Sequence, residues 1–238
     1  EIPIMAINAG PKIVEDGLVL CLDAANRRSY PRTGTVWTDL TANKNNGTLT
    51  NMNGSNFSSD GAGSLIFDGT NERVDMITPI SISSYPFNVS VVLKRFDTTD
   101  YPRLFDISDN TYQFQAVLDI GGNGELKTKH TKWQPNSGGH STTWGFIPNL
   151  NEFEVISVNV YPLINEVSLY RNGINQSGSS SNNVNVGANS NATYLGCRRD
   201  FAGFSFMSGQ FGCFHIHNRD LSPTEIKQNY LATKGRFQ

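Results

Sequence analysis

Residues 209–230, Gly209-Gln-Phe-Gly-Cys-Phe-His-Ile-His-Asn-Arg-Asp-Leu-Ser-Pro-Thr-Glu-Ile-Lys-Gln-Asn-Tyr230, read as a strand, a tight turn and one short capped helix. From Phe211 to His217 bulky side chains fall on both faces of an extended segment, the pattern of a central strand covered on two sides. At Ser222 the signals change: Ser222 can cap a helix, Pro223 fits its first turn, and Glu225 can reach back in a capping box. Ile226, Tyr230 and Leu231 give the helix a modest apolar stripe, and Gly235 is expected to end it.

Upstream the chain is strand and turn. Apolar or alternating runs recur at short spacing, among them residues 18–22, 64–67, 73–76, 88–93, 104–107, 112–118, 125–129 and 153–160. Residues 165–170 lead into Asn172-Gly173, the signature of a two-residue hairpin turn. The 26 asparagines and 22 glycines belong to such turns, because both residue types tolerate positive φ. About a dozen strands so spaced predict an all-β, two-sheet antiparallel sandwich closed by one C-terminal helix. Residues 1–16, with two prolines and no period, are expected to form an extended arm, and residues 17–238 a single domain.

The 238 residues carry a net charge of −2 and scattered basic side chains, which gives no electrostatic reason to expect nucleic acid. No window reaches the roughly 20 apolar residues of a membrane span, and the first residues lack the pattern of a signal peptide. Cys21, Cys197 and Cys213 are too few for a disulfide framework and are expected to be buried free thiols in a reducing compartment.

Four stretches resemble the laminin G-like, concanavalin A-like jelly-roll superfamily: Phe67-Asp-Gly-Thr-Asn-Glu-Arg-Val74, Phe87-Asn-Val-Ser-Val-Val-Leu-Lys94, Leu169-Tyr-Arg-Asn-Gly173 and Phe206 to Tyr230. Two positions depart from the family's pattern, Val92 where a Trp is frequent and His217 where a Tyr is. The opening residues 6–26, with Ser29-Tyr-Pro31 and Trp37-Thr-Asp-Leu40, are similar to virion proteins of tailed phages, particularly T4-like cyanophages. The resemblance implies a jelly roll displayed on a virion assembled in the host cytoplasm, as head decoration, fibre or host-attachment module. It implies other virion proteins as partners through the arm, a host glycan as ligand, and self-association as an option. The alternatives are a purely structural capsid or fibre contact and, further off, a glycoside hydrolase.

Sugar recognition needs exposed aromatics beside amides and charges. Residues 130–144 supply Trp133 and Trp144 with Asn136 and His140 in what reads as a polar loop, and Arg198-Arg199-Asp200-Phe201 forms a compact turn. These are the candidate ligand contacts. The plainer reading has the two tryptophans anchoring the loop. Glu152-Phe-Glu154 is the nearest approach to a paired-carboxylate catalytic run, but its third member is missing, so no catalytic residue and no enzyme is expected. His215 and His217 share a strand face and could grip a metal only with help from His130 or His140, both expected in loops; no metal is expected there. Calcium is the one cofactor left open, with Asp68, Asp75, Asp106, Asp109 and Asp119 near loops, although Asp68 before Gly69 also suits turn capping.

Overall fold

A computed structural model of the chain describes residues 11–76, 80, 86–96, 102–108, 112–119, 125–132, 140–144, 146, 148–161, 166–177, 179–180, 192–198, 201 and 206–237. In chain order the strands are β1 Leu18–Asp23, β2 Val36–Trp37, β3 Gly47–Thr50, β4 Phe57–Ser58, β5 Ser64–Asp68 and β6 Arg73–Met76. They continue with β7 Phe87–Arg95, β8 Arg103–Ser108, β9 Tyr112–Asp119, β10 Glu125–Lys132, β11 His140–Thr143 and β12 Phe153–Tyr161. The last are β13 Glu166–Arg171, β14 Ile174–Gln176, β15 Ser179–Ser180, β16 Ala192–Leu195 and β17 Ser208–His217, followed by the helix α1, Pro223–Phe237.

Two antiparallel sheets result, as the alternation predicts. One runs β14-β13-β12-β7-β17-β5-β4 with β1 also paired to β17; the other runs β15-β11-β10-β9-β8-β16-β6-β3-β2. Odd residues of β7 (Phe87, Val89, Val91, Leu93) and even residues of β12 (Ile156, Val158, Val160) turn inward. They meet Leu49, Val74, Phe105 and Leu195 of the second sheet in one core. The alternation follows from the two-residue repeat of pleated backbone.

β17 is covered on both sides. Phe211, Phe214 and Ile216 enter the core, while Cys213, His215 and His217 lie buried on the other face of the sheet. That outer face is roofed by α1 and by residues 11–16. Val14, Tyr170, Leu221 and Ile226 form one small apolar cluster there, and Val92, Val155, Cys213 and Phe237 form another. The roof is also tied by polar bonds. Val14 N donates to Asn229 Oδ1 (2.7 Å), His217 Nε2 donates to Val14 O (2.9 Å), and Gln228 Nε2 donates to Lys12 O (2.7 Å). Thus residues 12–16 of the arm lie on their own domain; residues 1–10 are outside the described residues.

The capping box forms as expected, with Ser222 N donating to Glu225 Oε2 (2.9 Å) and Glu225 N to Ser222 Oγ (3.3 Å). Gly235, however, does not end α1. The helix runs on to Phe237, because that ring is buried against Phe153, 5.0 Å between centroids, and its packing outweighs the glycine. The turn Asn172-Gly173 has φ of +52° and +75°, as a type I′ hairpin requires. One expectation is corrected: His130 and His140 lie not in loops but in β10 and β11, where they are cross-strand partners.

Candidate functional site

The inward faces being consumed by the core, and one outer face by the helix and arm, a ligand-binding surface is to be sought on the outer face of the nine-stranded sheet. Register sets its central row. Thr48 pairs Asp75, Asp75 pairs Tyr194, and Tyr194 pairs Asp106. Asp106 aligns with Gln115, Gln115 with Lys129, and Lys129 with Ser141. Thr48, Asp75 and Tyr194 alternate along their strands with the inward hydrophobes Leu49, Val74 and Leu195, whereas Asp106, at the same register, is fully buried.

At one end of this face a connected cluster stands in place. Arg73 Nε donates to Asp75 Oδ1 (2.8 Å), and Thr50 Oγ1 donates to Asp75 Oδ2 (2.5 Å). The Arg73 guanidinium carbon lies 4.2 Å from the centroid of the Phe201 ring, and Phe201 meets Tyr194 edge-on at 5.4 Å and 89°. Phe201 itself remains 41% exposed, whereas Arg73, Asp75 and Tyr194 are half-buried. Its position is set by a tight turn in which Phe201 N donates to Arg198 O (2.9 Å), with φ of +55° at Phe201. Arg73 and Asp75 neutralise each other, so the cluster offers an apolar ring, a guanidinium, a carboxylate and hydroxyls without net charge. Such a set has the chemistry to stack on and hydrogen-bond a neutral, hydroxyl-bearing ligand.

The candidate residues read from the sequence fall out unevenly. Arg198 is half-buried, and its carbonyl anchors the turn that carries Phe201. Trp144 is 5% exposed and packs in the central core, so it anchors the hairpin and presents no face to a ligand; its candidacy is corrected on that ground. Trp133, Asn136 and Arg199 lie outside the described residues, and His140 is placed only by its backbone, in β11. Nothing in the local sequence marks Arg73 and Tyr194 as site residues. Their signal was register: only strand pairing brings residues 50, 75, 194 and 201 together.

The remaining candidates take structural places. His215 and His217 are 5% and 0% exposed beneath the arm, and burial lowers both pKa values, His215 to about 4 with help from the neighbouring His217. His130 and His140 belong to the other sheet, and among the described residues no three His, Cys, Asp or Glu groups converge on a metal position. Of the calcium candidates, Asp68 Oδ1 caps Thr70 N (2.8 Å), and both oxygens of Asp75 are engaged as above. Asp106 is fully buried, the side chain of Asp119 lies outside the described residues, as does the whole of Asp109. Cys21, Cys197 and Cys213 are buried free thiols; burial pushes the Cys21 thiol up to about 12. Glu154 is buried and clamped by Arg171, whose Nε lies 3.1 Å from Glu154 Oε1, while Glu152 Oε2 accepts from Asn149 Nδ2 (2.6 Å).

Comparison with known proteins agrees with this architecture. The family model described as the concanavalin A-like lectin/glucanases superfamily matches residues 67–227. Among solved structures, domain 4 of a GH43 extracellular arabinanase from Geobacillus stearothermophilus, in complex with arabinotriose, superposes with a TM-score of 0.69 at 18% identity, covering 91% of this chain and 100% of that one. A Trypanosoma rangeli sialidase superposes with a TM-score of 0.65 at 14% identity, over 95% of this chain but only 35% of the sialidase. A heptameric pentraxin from Limulus polyphemus gives 0.53 at 13% identity, covering 68% of this chain and 78% of that one. At these identities the likeness is one of fold. A search of curated protein sequences finds no match. The matched family model spans well over half of the sequence, and the chain belongs to the concanavalin A-like lectin/glucanase superfamily.

Proposed function

We propose that this chain is a non-enzymatic carbohydrate-binding module displayed on a tailed-phage particle, as a head decoration or a host-attachment element. The observation that carries the glycan reading is the exposed Phe201 ring held between Arg73 and Tyr194 on a polar sheet face. A sugar ring stacks on such an aromatic, and Asp75, Thr50 and Arg73 stand beside it to bond hydroxyls. The solved arabinanase domain carries arabinotriose on a like fold, which is compatible with this reading. The virion placement is supported by the resemblance of residues 6–26, 29–31 and 37–40 to phage proteins. Weak contacts of this kind gain through multiple copies on a particle. Residues 12–16 are occupied with their own helix, so attachment to the particle falls to residues 1–10.

Glycan-array binding by the whole chain, repeated with Phe201→Ala, tests the site. Binding that falls at least ten-fold in the variant, with unchanged thermal stability, is the expected result. Undiminished binding would remove the sheet face from the reading, and no binding by the parent chain would favour a purely structural contact protein. Deleting residues 1–10 and counting copies on purified particles tests the arm, and unchanged incorporation would sink it as the anchor.

A further inference from the structure

The long excursion between β1 and β5 closes one edge of the sandwich, since β4 ends the path of one sheet and β2 that of the other. Its charge differs from that of the rest of the chain. Residues 24–58 hold four basic side chains, Arg27, Arg28, Arg32 and Lys44, against one acidic side chain, Asp39, whereas the whole chain is net −2. Asp39 is fully buried and spent on backbone and hydroxyl donors, so it offers the cations no partner. All four cations are exposed, and among the described residues no ion pair engages any of them.

Arg32 is held in place most firmly. Its φ of +72°, directly after Pro31, favours glycine, and an arginine there carries backbone strain of the kind that gathers at binding sites. Its guanidinium carbon lies 4.8 Å from the centroid of the Phe57 ring, and that ring packs on the buried Tyr30 at 6.2 Å. Stacking positions the guanidinium without consuming its N–H groups, which stay free for an anion. Arg27 and Arg28 precede it in a turn where Ser29 N and Tyr30 N both donate to Asn26 O (2.8 Å). Thr33 and Thr35 stand exposed beside Arg32 and add hydroxyls. A nucleic-acid base finds no platform there, because Tyr30 and Trp37 are buried and Phe57 is covered by Arg32. We infer that the edge formed by residues 27–35 docks an anionic polysaccharide. Arg27, Arg28 and Arg32 take its carboxylates or sulfates, and the threonines bond its hydroxyls.

The edge shares no residue with the Arg73–Phe201 cluster and does not rest on it, so the two can fail separately. The experiment is calorimetric titration of the whole chain with polygalacturonate, dextran sulfate, neutral dextran and a short DNA duplex. At least one of the two anionic polysaccharides is expected to bind about ten-fold or more tighter than dextran and the duplex, and to weaken steeply as salt rises from about 50 to 200 mM. The probe that binds names the anion as carboxylate or sulfate. Arg32→Gly relieves the backbone strain and removes the stacked cation, so it should weaken binding on the order of five-fold at an unchanged or raised melting temperature. Arg27→Gln combined with Arg28→Gln should weaken it as well, and Phe201→Ala should leave it intact. Failure of both anionic polysaccharides to bind, equal binding of dextran, or undiminished binding by Arg32→Gly overturns the inference. A duplex that binds as tightly as the polysaccharides overturns it too, by assigning the edge to nucleic acid, and so does loss of binding in Phe201→Ala, by moving the anion to the sheet face.

Discussion

At the scale of single residues, polar hubs hold the irregular parts of the chain as firmly as the core holds the strands. Asp39 is fully buried and accepts four bonds: from Cys21 N (2.9 Å) and Thr41 N (3.0 Å) at Oδ1, and from Thr41 Oγ1 (2.7 Å) and Asn45 N (2.9 Å) at Oδ2. It stitches β1 to the long excursion before β3. Asp39→Ala leaves these donors without an acceptor, and buried unpaired donors each cost on the order of 1–3 kcal/mol when water cannot replace the partner. We expect a loss of about 3 kcal/mol, read as a lowered urea midpoint at unchanged m-value. A shift under about 0.5 kcal/mol would show that water enters the hub and carries the bonds.

At the scale of elements, α1 and the arm make the eight-stranded sheet's outer face sensitive to acid. The Arg219 guanidinium, with the Ser222 bonds, pulls Glu225 down from 4.5 to about 2. Burial, with the like charge of His217, lowers His215 from 6.5 to about 4. Both groups bind their proton more readily in the unfolded chain, so both contributions are full at neutral pH and fade as pH falls. The histidine term is lost between pH 6.5 and 4, and the glutamate term between 4.5 and 2. Urea midpoints measured from pH 7 downward should therefore fall in two overlapping stages. His215→Gln should flatten the first and Glu225→Gln the second. A parent curve flat between pH 6.5 and 4 would show that His215 is protonated in the fold.

At the scale of the whole molecule, the C-terminal helix is part of the domain rather than an appendage. Its Ile226 and Phe237 close two apolar clusters over a sheet face that carries Asn88, Ser90, Ser157 and Asn159 in a buried polar ladder. Asn159 ends that ladder by holding Leu221, donating from Nδ2 to its carbonyl (2.7 Å) and accepting its N–H at Oδ1 (3.1 Å). Ile226→Ala should cost about 3 kcal/mol through lost transfer energy and a residual cavity. For a chain of this length that lowers the melting temperature by roughly 6–12 °C. Calorimetry should show one cooperative transition moving as a unit. A separate early transition would mean that the helix and arm melt independently of the sandwich.

Short-range signals were enough for three features: alternation for the two-sheet architecture, the Asn172-Gly173 pair for the type I′ hairpin, and Ser222 with Glu225 for the capped start of α1, because each rests on near-neighbour backbone geometry. Gly235 misled at the helix's other end, since burial of Phe237 is a contact with Phe153, far away in sequence. For Trp144 the sequence offers both a ligand contact and an anchor, and burial of its ring in the core decides for the anchor. The sheet-face cluster was legible only in part, through the Arg198–Phe201 turn, because Thr50, Asp75, Tyr194 and Phe201 come from separate strands and turns. Local chemistry along the chain determined which segments would pleat, turn or coil. Which side chains stand together on a surface was decided by strand register and by which faces the core and helix bury, and those are properties of the assembled sheets.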